Sequence, residues 1–289
     1  MPAAGQPPNV VVLGAGGQVG SSLAAAMPGA TAWSRRDLDV SDPHAVARTD
    51  WSRFDVIVNA AAYTAVDRAE TREGRMDAWR PNASAVAHLA RAADEHGSTL
   101  VHFSTEYVFD GSTAGPLSEE EPLAPLSAYG ASKAAGDLAA STADRHYVLR
   151  TTWVIGEGGN FVRTMLGLAA RGVSPTVVAD QIGRPTFAED LARGVVQLLA
   201  GDAPHGVYNL TNTGEPASWA DVARATFRLA GHEPARVSDT TTDEYFSTRP
   251  HAAQRPLNSV LDLGRAAAAG VELPDWRQSL AAYVAAQPA

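Results

Sequence analysis

Residues Asn9–Met27 read NVVVLGAGGQVGSSLAAAM, and the order of residue types in that stretch decides the fold. Asn9–Leu13 is a short Val-rich apolar run, the pattern of a strand buried in a parallel sheet. It runs into glycines at 14, 17 and 20, a G-x-x-G-x-x-G spacing, and Ser21–Met27 then reads as a helix. Strand, glycine turn and helix in that order form a dinucleotide-binding signature. Glycine permits the tight turn and a close backbone approach to a pyrophosphate, and the helix N-terminus offers free N–H groups at the positive end of its dipole. A Gly-rich βα turn without a ligand is the plainer reading; the strand before and the helix after favour the nucleotide.

Working outward, Ala30–Trp33 reads as a second strand ending in Ser34-Arg35-Arg36. An acidic residue at that end would hold a ribose 2′-OH, whereas an arginine accommodates a 2′-phosphate, so Arg35 leans towards NADPH, with NADH possible. The alternative is a solvated basic turn. Asp39 follows within reach of the adenine side. Asp55–Asn59 (DVIVN) gives a third strand, and Ala60-Ala61-Ala62-Tyr63 at its end lets backbone approach a ligand. Met76–His96 has helical spacing throughout and reads as one long helix. His88 and His96 lack a second ligand at metal spacing and read as surface or cap residues. Leu100–Ser104 is a fourth strand, in which His102 reads as a hydrogen-bonded core residue.

Ser104–Gly136 (STEYVFDGSTAGPLSEEEPLAPLSAYGASKAAG) carries the chemistry. Ser104 and Thr105 stand at the C-terminal end of a strand, where open α/β sheets put their ligands. Tyr129 and Lys133, four apart at the start of a helix, share one face. An ammonium there favours the phenolate, so the Tyr129 pKa should fall and suit it to proton transfer at neutral pH. Alone, Y-x-x-x-K is a common surface pattern; the upstream Thr and the N-terminal glycine signature give it weight. Glu119–Glu121 reads as a solvated charge cluster.

The repeated βα order implies an α/β protein with a Rossmann-type doubly wound parallel sheet. Residues 1–8 read as a flexible tail, 9–155 as the dinucleotide-binding domain, and 156–289 mainly as a smaller mixed substrate-binding lobe, with some segments returning to the first domain. The 289 residues carry a net charge of -9, with no basic stripe to neutralise phosphates, which argues against nucleic acid. There is no cysteine, hence no disulfide and no thiolate nucleophile. MPAAGQPP lacks the features of a secretory signal, and no apolar run approaches the ~20 residues of a membrane span. A cytoplasmic protein without membrane association is expected.

Together these blocks resemble the extended short-chain dehydrogenase/reductase superfamily and, more closely, the dTDP-4-dehydrorhamnose reductases. The resemblance rests on GAGGQVG at 14–20, NAAAYTAVDRAE at 59–70, STEYVFDG at 104–111, YGASK at 129–133, RTTWVIGEGGNF at 150–161, DQIGRPT at 180–186 and RPLNS at 255–259. It implies Thr105, Tyr129 and Lys133 as the catalytic set. It implies Gly14, Gly17, Gln18, Val19, Ser34, Arg35, Asp39, Val40, Ala60, Ala61, Ala62, Tyr63 and Ser104 as cofactor contacts, with Tyr129 and Lys133. Thr64, Val66, Glu106, Trp153, Asn160, Phe161, Gln181 and Arg255 would meet a dTDP-4-keto-6-deoxyhexose. Where the family usually reads STDYVFDG, this chain has Glu106. Some relatives hold an interface metal on acidic side chains; Ser21 and Ser22 stand where Glu is expected, so despite Glu189 no metal is implied, and a monomer or a homodimer is expected. Two other readings resemble the same branch: a 4-ketoreductase of a different nucleotide-deoxysugar, and the regulatory subunit of methionine adenosyltransferase, which acts by binding a partner. An intact Thr105, Tyr129 and Lys133 favours an enzyme.

Overall fold

The computed structural model describes residues 8–201, 203–249 and 251–287, so the tail expected over 1–8 lies outside the described residues apart from Pro8. In the first half, strands and helices alternate: β1 (Val10–Leu13), α1 (Gln18–Ala26), β2 (Thr31–Trp33), α2 (Pro43–Arg48), β3 (Val56–Asn59), α3 (Arg72–Trp79), α4 (Ala85–His96), β4 (Thr99–Thr105), α5 (Ala128–Ala140) and β5 (His146–Thr151). The second half holds β6 (Val154–Ile155), α6 (Phe161–Ala170), β7 (Thr176–Val178), β8 (Ile182–Gly183), β9 (Thr186–Phe187), α7 (Ala188–Ala200) and β10 (Gly206–Asn209). It closes with β11 (Ala217–Ser218), α8 (Trp219–Leu229), β12 (Ser238–Thr240), α9 (Thr242–Phe246), α10 (Gly264–Ala268) and α11 (Trp276–Ala285).

Six strands form one sheet in the order β2-β1-β3-β4-β5-β10, every neighbouring pair parallel. The strand order reverses between β1 and β3, which opens a crevice at their C-terminal ends. Alternation of side chains feeds two cores. Val11, Leu13, Ile57, Leu100 and Val148 pack with Leu89 and Ala93 of α4 and with Trp51 and Phe54. Val12, Val58, Val101, Phe103 and Leu149 pack with Leu23 of α1 and with Leu191, Val195 and Leu198 of α7. The second half therefore returns to the sheet twice: α7 covers one face and β10 supplies an edge strand. The rest of it forms two-stranded sheets around Ile155, Phe187, Val222 and Trp276, and around Met165, Val177 and Phe227. Asp190 at the start of α7 accepts hydrogen bonds from Asn212 (2.6 Å) and Ser279 (2.5 Å), tying α7 to α11. Among the described residues no helix is long and apolar enough to cross a membrane.

Two expectations change. The helix read over Met76–His96 is interrupted: α3 gives way to a π-helical turn at Arg80–Ser84 before α4 begins. Pro81 has no N–H and crowds the preceding turn, so an unbroken α ladder does not run through it. The turn buries Asn82 completely. Of the cluster expected to be solvated at Glu119–Glu121, Glu120 is exposed but Glu119 is not. Glu119 is buried and accepts from the Asn209 amide (2.9 Å), while its own carbonyl takes a hydrogen bond from Arg150.

α5 lies hard against the π-turn. A Cβ at Gly136 would stand 2.1 Å from the Asn82 carbonyl oxygen, closer than any real contact. Gly136→Ala must push α5 away from the sheet. We expect a loss of about 1–3 kcal/mol in urea unfolding; an unchanged midpoint and slope would show that α5 moves without cost.

Candidate active site

The glycine turn is built by close approach. Gly14 has φ +76°, and a Cβ there would lie 2.6 Å from the Ala61 nitrogen; one at Gly20 would lie 2.1 Å from the Gly14 carbonyl oxygen. Side chains at these positions would separate β1, the Ala60–Ala62 segment and α1. The turn is latched by Ala15 N–H to the Trp33 carbonyl and Ala60 N–H to the Leu13 carbonyl (2.9 and 3.0 Å). Gly17 caps α1 with no side-chain hydrogen bond, and no acidic residue occupies its first turn, so the helix N-terminus keeps its positive end free for an anion.

The expected cofactor residues fall around this turn. Arg35 is exposed just past β2, and Ser34 is held by Asp37, whose carboxylate accepts from both its N–H and its hydroxyl. Asp39 is exposed and accepts from Ser41 N–H, whereas Val40 is a core residue under the same edge. Gln18 donates to the Gly159 carbonyl, which brings the 156–160 loop over the helix start. Gln18 Oε1 and the Tyr63 hydroxyl are buried without partners, whereas Ser104 acts on Asp137 of α5. Open space at Gly16, a free helix N-terminus and orphaned polar atoms fit a dinucleotide.

β4 runs past the sheet's general edge: Phe103, Ser104 and Thr105 pair with Leu149, Arg150 and Thr151. Thr105 caps the short turn that follows, and its hydroxyl donates to Glu106 Oε2 at 2.7 Å. Opposite, Ser127 caps α5 through Gly130 N–H and so sets the first turn that carries Tyr129. Tyr129 is 8% exposed, in a pocket of Ala69, Ala78, Tyr63, Val66 and Tyr107, with the Tyr107 ring edge-on at 5.5 Å. Lys133 donates to the Phe103 carbonyl at 2.5 Å and lies 3.4 Å from His102 Nε2. One turn further, Asp137 accepts from Arg150 (3.0 Å), an ion pair almost wholly buried between α5 and β5.

These contacts correct one expectation. The Tyr129 phenol is not lowered. Burial pushes it above its ordinary range, the Glu106 carboxyl and Tyr107 push it further, and a hydrogen bond with Thr105 opposes them. The Lys133 ammonium is turned onto the Phe103 carbonyl, and burial brings it down to about 8, with Asp137 opposing. Tyr129 is thus held protonated at neutral pH, the state a proton donor needs. His102 is pushed well below its ordinary value by burial and by Lys133, so it stays neutral, in keeping with its reading as a core residue beside Asn59. Glu106 is raised to about 7 by burial.

The expected substrate residues divide. Arg255 reaches across the crevice to Asp67 (2.8 Å) and lies over Phe246, so the 255–259 loop closes against the segment carrying Thr64 and Val66. Gln181 is buried and donates to Thr242. Trp153, with φ +44°, stacks on Trp219 at 3.8 Å, and Phe161 meets the same ring. Asn160 caps α6 and donates to the Gly156 carbonyl and to the Tyr283 hydroxyl. Two residues of the neighbourhood are not singled out by the sequence motifs. Trp219 comes from α8, and Asn82 binds both the N–H and the C=O of Tyr63 and donates to Ser132 on α5. Only the Pro81 break in the helical pattern hints at Asn82.

The model of the RmlD substrate binding domain family matches residues 8–288. A dTDP-4-dehydrorhamnose reductase of Streptomyces griseus is 42% identical, the match covering 94% of this chain and 92% of the relative. A dTDP-4-keto-6-deoxy-D-glucose reductase of Streptomyces niveus is 39% identical over 81% of this chain and 82% of its own length. Among solved structures, dTDP-4-dehydrorhamnose reductase from Bacillus anthracis in complex with NADP superposes with a TM-score of 0.89 at 31% identity, over 98% of this chain and all (100%) of that one. By sequence and fold alike, the chain belongs to the RmlD, or dTDP-4-dehydrorhamnose reductase, family of the extended short-chain dehydrogenases/reductases.

Proposed function

We propose that this chain reduces the C4 ketone of dTDP-4-dehydro-L-rhamnose to dTDP-L-rhamnose, using NADPH, as a cytoplasmic enzyme. One observation carries the reading: Thr105, a protonated Tyr129 and Lys133 converge at the C-terminal edge of β4, beside a crevice shaped for a dinucleotide. NADPH, when bound, supplies the hydride that C4 receives. Gly14, Gly17 and the α1 N-terminus would hold its pyrophosphate, and the Ala60–Tyr63 segment would line it. Tyr129, backed by Thr105, would hold the ketone oxygen and give it a proton. Lys133 keeps its charge at neutral pH and orients the site from below. General acid help of this kind is worth ~10²–10⁴-fold, with alignment of the reactants supplying much of the rest.

A second reading has specific support. Glu106, one methylene longer than the Asp usual in the family, stands next to Thr105, and the Streptomyces niveus relative bears the name of a reductase for a different dTDP-4-keto sugar. This chain would then reduce a related deoxysugar with the same residues in the same roles.

With dTDP-4-keto-6-deoxyhexose as substrate, Tyr129→Phe should bind NADPH as the wild type does in a fluorescence titration, yet lose about 10²–10⁴-fold in turnover. Near-normal turnover would remove Tyr129 from the chemistry. Arg35→Asp should move the ratio of kcat/KM for NADPH over NADH towards NADH by about 10- to 100-fold, the worth of a charge-assisted contact. No movement would make Arg35 a solvated turn residue.

A further inference from the structure

Glu106 is a carboxyl group in an unusual position. It follows β4 directly and is 2% exposed. Oε2 accepts the Thr105 hydroxyl at 2.7 Å, while Oε1 is buried with no partner. Buried carboxylates are ordinarily met by a cation or several donors. Here the nearby cations are turned elsewhere: Lys133 onto the Phe103 carbonyl, and Arg255 onto Asp67 and the Ala253 carbonyl. The groups that face Glu106 are Thr105 on β4, Tyr107 on its own turn and Tyr129 on α5, with Lys133 one helical turn beyond Tyr129 and with Arg255 and Asp67 behind Tyr107. The Thr105 hydroxyl is 2.7 Å from Glu106 Oε2 and also acts on the Tyr129 phenol, so one hydroxyl stands between the carboxyl and the phenol.

We propose that Glu106 is the proton reservoir of this site: in its acid form the carboxyl O–H donates to Thr105, the reverse of the bond to the carboxylate, and as Tyr129 gives its proton to the substrate oxygen, Thr105 passes its hydroxyl proton to Tyr129 and takes one from Glu106. This rests on the reductase reading above. The bonds balance. An O–H forms on the substrate; those of Tyr129 and Thr105 break and re-form; that of Glu106 breaks. Glu106 is left as a carboxylate and recovers a proton from solvent after the product leaves. With Glu106 already ionised, the same step would leave a phenolate in a buried pocket beside a carboxylate, two like charges at short range. Starting from the carboxylic acid, only one negative charge remains, on the residue whose partner Thr105 can donate to it. Burial, which raises this carboxyl to about 7, keeps the acid form populated at neutral pH.

Two readouts test the relay on the intact protein. The first is the single-turnover rate of NADPH oxidation by the 4-keto sugar between pH 5.5 and 9. In the wild type it should fall as pH rises through about 7. Glu106→Gln, which cannot give up a proton, should be slower at pH 6 by about 10-fold, a fraction of a direct acid's share, and should lack that limb. Glu106→Asp should restore the limb, and Thr105→Val, with the carboxyl intact, should lose it. The second readout needs no turnover. A group whose folded pKa is raised binds its proton more tightly in the native state, so its contribution to stability is present below the unfolded value and fades as pH rises through the folded one. The wild-type urea midpoint should therefore fall relative to that of Glu106→Gln from about pH 4.5 to 7.

A wild type that turns over, with the same pH profile in Glu106→Gln, would overturn the relay and leave the reductase reading standing. Parallel midpoints for the two proteins across that range would overturn it as well, because the carboxyl would then carry no held proton. A wild type that reduces no dTDP-4-keto sugar would instead overturn the reductase reading, and the relay as a step in it, while the urea comparison still reports whether Glu106 holds its proton.

Discussion

The site depends on how α5 is fixed to β4 and β5. Three contacts along one face of the helix do this: Lys133 to the Phe103 carbonyl, Gly136 against the Asn82 carbonyl, and Asp137 to Arg150. The two polar contacts are buried, so they are strengthened by the low local dielectric and costly to leave half-made, while Gly136 sets how closely the helix can approach. They set the height and rotation of α5 and thereby the place of Tyr129, which has no hydrogen bond to the sheet of its own beyond that with Thr105. A stripe at i, i+4 and i+8, reading phenol, ammonium and carboxylate, becomes a column from cleft to core.

That column also explains why the charge balance at Tyr129 differs from what the Y-x-x-x-K spacing implies. The spacing puts Lys133 on the right face but not its ammonium beside the phenol. A four-carbon stem follows the nearest strong acceptor, and in this buried place that is the Phe103 carbonyl. Burial and the Glu106 carboxyl then dominate the phenol and hold it protonated. For a reductase this is a consistent arrangement, because the direction of reaction requires a donor. Glu106 is the natural counterpart: a carboxyl that is itself near its titration point and joined to the phenol through one hydroxyl.

Much of this was legible in the chain. The Val-rich runs at 10–13 and 56–59 are strands because β-branched residues buried on both sides pack only there, and the glycines at 14 and 20 are explained by the backbone they must approach. Strand-end hydroxyls and the Tyr129 and Lys133 pair were readable from local spacing alone. What was not readable is contact made across long separations. Nothing near Asn82 in the sequence announces that it will clamp Tyr63, nor anything near Trp219 that it will stack on Trp153. Asn160 caps α6, a role that short polar residues at a loop–helix junction often take and that its motif alone does not announce. The return of α7 and β10 to the sheet also depends on tertiary packing, which no local pattern encodes.

The direct test of the central claim is the product formed from dTDP-4-keto-6-deoxyglucose and NADPH, with and without a 3,5-epimerase, identified by its proton NMR spectrum. A C4-reduced sugar formed only when the epimerase is present, with the couplings of dTDP-L-rhamnose, is the result expected. A 4-reduced sugar formed equally well without the epimerase would contradict the rhamnose assignment and transfer the site to another deoxysugar. No reduction under either condition, with NADPH bound, would contradict the 4-ketoreductase reading of Thr105, Tyr129 and Lys133.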